Sequence, residues 1–335
     1  MFDWKWYLSD IKQDKDVKVF SCFSCGGGSS MGYKRAGFVV LGNCEIDPRM
    51  NKIYLKNNHP KYNFLMDLRD FNKREDLPDE LYHLDILDGS PPCSTFSMAG
   101  AREKSWGKAK QFKEGQKFQT LDDLFFVFLD TVEKLRPKIV VAENVVGLIR
   151  GNAKGYVNEI IKRFRDIGYD VQIFRLNAAR MNCPQSRERV FFIANNQKYD
   201  KIKLNFDFPI IPYREVKTGR GKTPTGKVTS ELIEKIKYPD ASLSDTCERL
   251  GKKANGFGRH ILWNDKVAPT IVSADDYIRG DEKMIASDED IRNIQTFPQD
   301  YDFEDQSVKY ICGMSVPPNM MANIASQIWK QWLNK

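Results

Sequence analysis

Residues 17–47 read VKVFSCFSCGGGSSMGYKRAGFVVLGNCEID, and their pattern indicates the fold class. A strand-length apolar run from Val17 ends in a glycine-rich turn, Phe23-Ser-Cys-Gly-Gly-Gly28, which leads into a helix. A second apolar run ends in Glu45, about 20 residues after the turn. This order is typical of a parallel α/β sheet whose glycine turn approaches an adenosine-containing cofactor, with the acidic side chain accepting both ribose hydroxyls.

Strand-length apolar runs recur along the first 200 residues. They are Val17–Phe23, Phe38–Cys44, Phe64–Met66, Leu84–Leu87, Ile139–Ala142, Val171–Leu176 and Val190–Ala194. Between them, apolar residues at three- and four-residue spacings predict helices over Pro48–Asn58, Leu121–Leu135 and Tyr156–Ile167. The alternation predicts an α/β domain with a mostly parallel sheet, doubly wound with helices on both faces.

A change of composition after Lys198 predicts a second, loop-rich lobe, because Lys, Gly, Thr and Pro replace the periodic pattern. Helical patterning returns from about Asp288, and Val316–Leu333 is predicted to be a terminal amphipathic helix with Pro317 and Pro318 near its first turn. The predicted segments are therefore 1–200 as the first part of the main domain, 201–283 as the lobe, and 284–335 returning to the main domain.

The composition favours a polyanionic partner without identifying one. The 335 residues include 52 Lys+Arg against 45 Asp+Glu, a formal charge of +7. No stretch has the length of a signal peptide or a membrane span, which predicts a soluble, intracellular protein with reduced cysteines. Cys22 and Cys25 form a lone CxxC without a second pair at zinc-ligand spacing, so no metal is expected.

Chemically reactive residues follow three of the predicted strands. The fourth strand ends in Asp88-Gly-Ser-Pro-Pro-Cys93 and the fifth in Glu143-Asn-Val145. The segment Pro184-Gln-Ser-Arg-Glu-Arg189 comes after the sixth. Ligands of such sheets bind at the carboxyl ends of the strands, and two prolines stiffen the loop that carries the thiol, so Cys93 is a candidate nucleophile. The glycine turn and Glu45 alone fit a nicotinamide dinucleotide equally well.

Together and in this order, six blocks resemble the DNA cytosine-5 methyltransferase family of the bacterial and phage modification type. The blocks are Phe23–Gly28, Glu45, Pro-Pro-Cys93, Glu143-Asn-Val, Gln185-x-Arg187-x-Arg189 and Gly313-Met-Ser-Val-Pro317. The resemblance implies a Rossmann-like S-adenosylmethionine-dependent methyltransferase fold with a smaller target-recognition domain. It also implies S-adenosyl-L-methionine as the methyl donor, S-adenosyl-L-homocysteine as the product, and no metal.

The chemistry of this family requires these residue types. Carbon 5 of cytosine is too electron-poor to attack a methyl sulfonium, so a thiolate must first add at carbon 6. The base must also leave the DNA stack. The resemblance assigns catalytic roles to Cys93, Glu143, Arg189 and Arg187. The expected cofactor-binding residues are Phe23, Gly26, Gly27, Gly28, Glu45, Ile46, Asp67, Pro91 and Ser315, although Asp67 alone fits a helix cap as well.

The expected macromolecular partner is double-stranded DNA. Ala99–Gln119 resembles the basic catalytic loop of the family, and Ala268-Pro-Thr-Ile271 resembles a junction element that reads equally well as a plain turn. The candidate DNA-binding residues are Arg102, Lys104, Lys108, Gln185, Arg220, Lys222 and Arg259. A cognate restriction endonuclease is a further candidate partner. A monomer in the cytoplasm, associated with the nucleoid and not with a membrane, is expected.

Five positions depart from the usual family pattern. Ser21 stands where an acidic residue is usual, Cys25 and Asn182 where glycine is usual, Ser94 where glutamine is usual, and Met314 where asparagine is usual. The rival interpretations are a transfer RNA methyltransferase of the same family, a nicotinamide-dependent oxidoreductase, and a non-catalytic DNA-binding member. The basic second lobe favours duplex DNA over RNA, and the intact Cys93 and Glu143 favour an active enzyme.

Overall fold

The computed structural model describes residues 2–92, 124–150, 154–253 and 259–334. Its strands are β1 (Lys18–Cys22), β2 (Val39–Glu45), β3 (Tyr62–Leu65), β4 (Ile86–Gly89), β5 (Ile139–Val145), β6 (Asp170–Asn177), β7 (Gln185–Ser186), β8 (Glu188–Asn195), β9 (Arg259–Leu262), β10 (Ala268–Pro269), β11 (Asp276–Arg279) and β12 (Met284–Ile285). Its α-helices are α1 (Gly28–Arg35), α2 (Pro48–Asn58), α3 (Leu68–Lys73), α4 (Leu124–Leu135), α5 (Lys154–Asp166), α6 (Lys227–Glu234), α7 (Leu243–Arg249), α8 (Asp288–Ile294), α9 (Val308–Met314) and α10 (Pro318–Ile328).

A seven-stranded sheet of order β3-β2-β1-β4-β5-β8-β6 forms the main layer. Neighbouring strands from β3 to β5 run parallel, and β8 runs antiparallel to β5. This confirms the predicted mostly parallel α/β sheet, and each of the seven predicted apolar runs contributes a strand. Because β8 is reversed, its first residues lie at the edge of the sheet where β4 and β5 end.

The central strands are continuous apolar runs because the parallel part of the sheet is buried. Phe20 of β1, Leu87 of β4 and Val140 of β5 belong to one core cluster with Phe128 of α4. At the end of β4, a Cβ atom on Gly89 would lie 2.4 Å from the Phe128 ring. Glycine at this position therefore lets α4 pack directly against the strand that leads to the proline loop.

Helix α2 shows why its ends were predictable. Asp47 caps it by accepting a hydrogen bond from the Arg49 N–H at 2.9 Å, Pro48 takes the first helical position, and His59 ends it in a left-handed conformation. These are standard helix start and stop signals. The prediction of Pro48–Asn58 is confirmed at both ends.

The predicted C-terminal helix is also confirmed. Helix α10 begins at Pro318, and a π-helical turn, Trp329–Leu333, follows it directly. The buried indole of Trp332 donates a hydrogen bond to the Asp200 carbonyl at 2.8 Å and stacks on Tyr199. Within the described residues, no helix combines the length and the apolar character needed to cross a bilayer.

The chain divides into two compact units. The sheet unit comprises Ile11–Leu176, Glu188–Asn205 and Ala322–Lys335. The second unit comprises Met1–Asp10, Asn177–Arg187 and Phe206–Met321.

The second unit has a small apolar core of its own. This core consists of Ile233, Ile236, Leu243, Ile261, Trp263 and Ile278. Strand β9 pairs in parallel with β11, which pairs antiparallel with β12. Much of the remaining segment from Phe206 has no regular secondary structure.

Candidate active site

The glycine turn follows β1 and leads into α1. Phe23, Cys25 and Gly27 all adopt left-handed backbone angles, with φ of 54°, 46° and 78°. A Cβ atom on Gly27 would lie 2.3 Å from Asn58 Nδ2, so only glycine fits there. Alternation of left-handed residues turns successive backbone N–H groups toward one side, an arrangement that suits an anionic or polar ligand.

Glu45 is fixed against this turn by backbone N–H groups. Its Oε2 accepts from Cys25 at 2.7 Å, and its Oε1 accepts from Ile46 at 2.9 Å and Asp47 at 3.0 Å. Burial raises the pKa of Glu45, while the three backbone hydrogen bonds oppose that rise. The side chain predicted to bind the ribose is therefore held in one orientation beside the turn.

Asp67 caps a helix, one of the two roles predicted for it. Its Oδ1 accepts from the Arg69 N–H at 2.8 Å, and the Arg69 guanidinium lies 3.2 Å from its Oδ2. An adenine contact stays a prediction. Ser315, a second expected cofactor residue, belongs to the second unit, where its carbonyl accepts from Gln295 Nε2 at 2.7 Å.

Glu143 and Arg189 form an ion pair at the edge of the sheet. The antiparallel register places Glu143 opposite Phe191 and Arg189 opposite Val145, so the two side chains are diagonal neighbours on one face. Arg189 Nε lies 2.9 Å from Glu143 Oε1, and both side chains are largely buried. Burial lowers the pKa of Arg189, and the adjacent carboxylate opposes that change. Two residues that were separately predicted to be catalytic are thus in direct contact.

Asn144 is a site residue that sequence reasoning did not single out. Its Nδ2 donates to the Pro91 carbonyl at 3.1 Å, and its Oδ1 accepts from the Val145 N–H at 2.9 Å. The amide thereby ties the segment that leads toward position 93 to the strand that carries Glu143. Its place beside Glu143 in the Glu-Asn-Val motif was the available signal.

Several predicted residues lie outside the described part of the chain. These are Cys93, Ser94, Arg102, Lys104 and Lys108. The predicted basic loop, Ala99–Gln119, also lies outside the described residues.

Gln185 and Arg187 are buried in the second unit. The Gln185 amide donates to Gln295 Oε1 at 2.6 Å and accepts from the Ile271 N–H at 2.9 Å. Arg187 donates to the carbonyls of Ile271 at 2.8 Å and Gly313 at 3.1 Å. These contacts join the Gln-x-Arg-x-Arg block, the junction element and the closing block of the sequence, and they favour a structural role for both side chains.

Two departures from the family pattern fall at left-handed backbone positions. Asn182 has a φ of 55° and Cys25 a φ of 46°, which explains why glycine is usual at each. Asparagine adopts this conformation more readily than most residues, and Asn182 Nδ2 also donates to the Phe2 carbonyl at 2.6 Å. Met314 is half exposed at the end of α9.

The basic candidates of the second unit differ in their contacts. Lys222 pairs with Asp288 at 2.6 Å, and Arg259 donates to Thr229 Oγ1 at 2.9 Å. Arg220 is exposed and makes no hydrogen bond or ion pair with the described residues. Arg220 is therefore the best placed of the three to bind an external anion.

The buried carboxyl group of Asp88 also escaped sequence reasoning. It lies near the end of β4, accepts from Ser21 Oγ at 2.8 Å and from the Tyr33 hydroxyl at 3.2 Å, and is 1% exposed. Burial raises the pKa of Asp88 to about 7. Among the described residues, no group of three or more His, Cys, Asp or Glu side chains is arranged to hold a metal ion.

A profile of the family described as C-5 cytosine-specific DNA methylase matches residues 17–330. The chain belongs to this family. The match confirms the resemblance of the ordered blocks, and with it the enzyme class, DNA (cytosine-5-)-methyltransferase. Members of the family use S-adenosylmethionine as the methyl donor. The nicotinamide-dependent oxidoreductase is thereby excluded.

Curated relatives agree with this assignment. The type II methyltransferase M.NgoPII of Neisseria gonorrhoeae is 28% identical over 94% of this chain and 96% of its own length. M.Sau96I of Staphylococcus aureus is 28% identical over 88% of this chain and 71% of its own.

Two solved structures share the fold at low sequence identity. A prophage-encoded Escherichia coli protein, assigned as a DNA modification methyltransferase, has a TM-score of 0.67 at 19% identity, with 96% of this chain and all of that chain covered. A DNMT2 variant from Spodoptera frugiperda has a TM-score of 0.64 at 14% identity, with 94% and 100% covered.

Proposed function

We propose that this enzyme methylates carbon 5 of a cytosine flipped out of a specific duplex DNA sequence, through covalent addition of Cys93 to carbon 6. The observation that supports it most is the ion pair between Glu143 and Arg189. Asn144, the residue after Glu143 on β5, donates a hydrogen bond to the Pro91 carbonyl. A carboxyl group, a guanidinium and the approach to the thiol therefore converge on one sheet edge. The family provides the reaction class, and this convergence supports the residues proposed for it.

Cys93 is the proposed nucleophile. Its thiolate adds to carbon 6 of the base, and the electrons of the carbon 5–carbon 6 double bond become available at carbon 5. Bound S-adenosylmethionine supplies an electrophilic methyl group. Afterwards carbon 5 loses its proton, and the thiolate leaves as the double bond re-forms. Asn144 contributes by holding the Pro91 carbonyl, and with it the start of the Cys93 loop.

Glu143 is the proposed partner of cytosine N3. Addition of the thiolate increases electron density in the ring, and a carboxyl group that shares or carries a proton at N3 stabilises it. Arg189 orients that carboxyl through the 2.9 Å contact. Among the described residues, Glu143 has no second hydrogen-bond partner, so most of its bonding capacity is available to the base.

The residues of the glycine turn fit the methyl donor. Glu45 Oε2 accepts one backbone hydrogen bond, and a carboxylate oxygen can accept two, so it retains capacity for a ribose hydroxyl. Gly27 leaves no side chain over the turn. Phe23, Gly26, Gly28, Ile46, Asp67, Pro91 and Ser315 complete the proposed cofactor-binding set.

DNA binding is proposed for segment 201–283 and for the basic loop after Cys93. In the first, Arg220, Lys222 and Arg259 are the candidates, with Arg220 foremost because it is exposed and unpaired among the described residues. Gln185 is left out of the set because it is fully buried. Segments 1–200 and 284–335 are proposed to form the catalytic domain.

The cellular setting is proposed from the relatives. The two bacterial relatives are named type II methyltransferases, a class that acts in restriction-modification systems. We propose a monomer that acts in the cytoplasm at the nucleoid, with a cognate restriction endonuclease in the same system.

The test is transfer of labelled methyl from S-adenosylmethionine to mixed-sequence duplex DNA, followed by sequencing for 5-methylcytosine. Wild type is compared with Cys93→Ala and with Cys247→Ala, which replaces a buried cysteine of the second unit. Transfer that is lost only in Cys93→Ala supports the proposal and reveals the target sequence. Transfer to transfer RNA in place of DNA overturns the substrate, and transfer by Cys93→Ala overturns the mechanism.

A further inference from the structure

The proposed reaction leaves the buried carboxyl of Asp88 without a role. The parallel register places Asp88 opposite Ser21 on β1 and opposite Val141 on β5. Glu143 lies two residues beyond Val141, so its side chain is on the same face of the sheet as Asp88. Asp88 therefore lies between the strand that leads into the glycine turn and the strand that carries the proposed catalytic glutamate.

Two hydroxyl groups donate to this carboxyl. Ser21 Oγ on β1 lies at 2.8 Å and the Tyr33 hydroxyl on α1 at 3.2 Å. Tyr33 belongs to the helix that follows the glycine turn, since α1 begins at Gly28. Asp88 thus joins α1 to the sheet.

Ser21 is also the position at which an acidic residue is usual in the family. Register partners in a sheet lie roughly 5 Å apart, so a carboxyl group moved from residue 21 to residue 88 stays at the same level of the sheet and on the same face. The serine left behind donates its hydroxyl to that carboxyl. Asp88 therefore places a carboxyl group directly beside the position at which the family usually has one.

We propose that Asp88 is a positioning residue for the methyl-donor turn and supplies, from β4, the carboxylate that the family usually places at position 21. An ionised carboxylate accepts from both hydroxyls, whereas protonation makes one of its oxygens a donor. The turn is therefore ordered by ionised Asp88 and loosened by its protonation. The inference rests on the proposed function, since it assumes that the turn binds the methyl donor.

Three titratable groups packed around Asp88 stay neutral at the pH at which Asp88 itself titrates. Burial raises the pKa of Cys22 on β1, Tyr33 on α1 and Tyr54 on α2, so these three stay neutral. Glu143 on β5 adds a like charge that raises the pKa of Asp88 beyond the effect of burial, to about 7.

Two further groups near the turn could contribute to a pH dependence. They are Lys34, whose pKa is lowered by burial to about 8, and Glu45, whose pKa burial raises. Both remain in an Asp88→Asn variant, so the difference between that variant and wild type isolates Asp88.

The experiment measures the affinity for S-adenosylhomocysteine by titration calorimetry, without DNA. Asp88→Ser is expected to bind about ten- to a hundredfold more weakly, because two buried hydroxyls lose their acceptor. The exchange variant Ser21→Asp/Asp88→Ser is expected to recover to within about threefold of wild type, since the charge returns to the same level of the sheet. Ser30→Ala is the matched control: it removes a buried hydroxyl of α1 that bonds to Tyr54, and should change affinity by less than about twofold.

A pH series separates positioning from mere packing. Between about pH 8 and about pH 6, wild-type affinity should fall, and Asp88→Asn should lack that component because it cannot ionise. Unchanged binding by Asp88→Ser, no recovery in the exchange variant, or equal pH profiles in wild type and Asp88→Asn would each overturn the inference. Failure of the proposed function has a different signature: wild type binds S-adenosylhomocysteine but transfers no methyl group to DNA.

Discussion

Among the described residues, two arginine–carboxylate pairs are largely buried, one in each compact unit, and they differ in how completely they are bonded. In the second unit, Asp290 accepts from Arg279, from the Tyr213 hydroxyl and from the backbone N–H groups of Thr218 and Ser287. Arg279 donates in addition to Glu282 and to backbone carbonyls. In the sheet unit, Glu143 has Arg189 as its sole hydrogen-bonding partner among the described residues.

The difference indicates what each pair is for. A buried charge is tolerated when its lone pairs and protons are satisfied. The Arg279–Asp290 pair meets that condition within its own unit, which is typical of architecture. The Glu143–Arg189 pair retains unused capacity at a sheet edge, which is typical of a site that completes its hydrogen bonds with a substrate.

Glu143→Gln tests whether the Glu143–Arg189 pair is catalytic. Glutamine keeps the size of the side chain but cannot share or carry a proton, so methyl transfer should fall about 10²- to 10⁴-fold. Single-turnover transfer to DNA measures the effect. The melting temperature should fall less than in a variant that removes Arg279, because the glutamine Oε1 can still accept a hydrogen bond from Arg189. The control is Glu188→Gln, an exposed partner of Arg175. A Glu143→Gln enzyme within about threefold of wild type would show that the pair is not catalytic.

Arg279→Met should have the opposite profile. It leaves Asp290 as an uncompensated buried charge, which costs about 3–5 kcal/mol. Equilibrium denaturation measures the loss, with Arg175→Met as the matched control, since exposed ion pairs contribute about 0–1 kcal/mol. If Arg279→Met unfolded at the same denaturant concentration as wild type, the saturated network would not be the structural element described above.

The features that local sequence dictates were predictable, and those that depend on strand register were not. Parallel strands buried on both faces are continuous apolar runs, so β1, β2 and β5 could be located from the apolar runs in the sequence. Helix α2 has its start and stop signals in the chain itself. By contrast, the two-residue strands β7 and β10 exist only through their mutual pairing, for which no local pattern exists.

The same division holds in the candidate site. Glu45 and Glu143 were predictable because each ends a strand at the carboxyl edge of the sheet, where ligands bind. Asp88 and Asn144 were not, since their partners, Ser21 and Pro91, lie 67 and 53 residues away and meet them only through strand order and register. A tertiary hydrogen bond between distant residues leaves no periodic trace in the sequence.

Asp88 is a third buried carboxyl, and the pH dependence of stability tests whether it is charged in the folded protein. Its folded pKa of about 7 lies above the unfolded value, so the folded state retains a proton that the unfolded state has released. Stability should therefore fall between about pH 4 and about pH 7, by about 1–3 kcal/mol relative to Asp88→Asn. Denaturation at several pH values measures this slope.

Asp240 supplies a control of opposite sign. Its hydrogen bond from Arg249 lowers the pKa of Asp240 to about 2. The stability that it contributes is therefore present above the unfolded pKa and is lost as pH falls toward about 2. Equal slopes for Asp88→Asn and wild type would show that Asp88 is ionised at little cost, which would place it with the saturated carboxylates.

The smallest expected effect concerns the loop that the Arg279–Asp290 network holds. Arg279 donates to the carbonyls of Thr218 and Gly219, so the backbone is fixed immediately before the exposed Arg220. Arg220→Ala should weaken binding to the target duplex by about tenfold and reduce the salt slope by about one. Lys222→Ala should have a weaker effect, because Lys222 must first leave Asp288. Binding titrations at several salt concentrations distinguish them, and a larger loss in Lys222→Ala would show that an existing ion pair is no obstacle to a DNA contact.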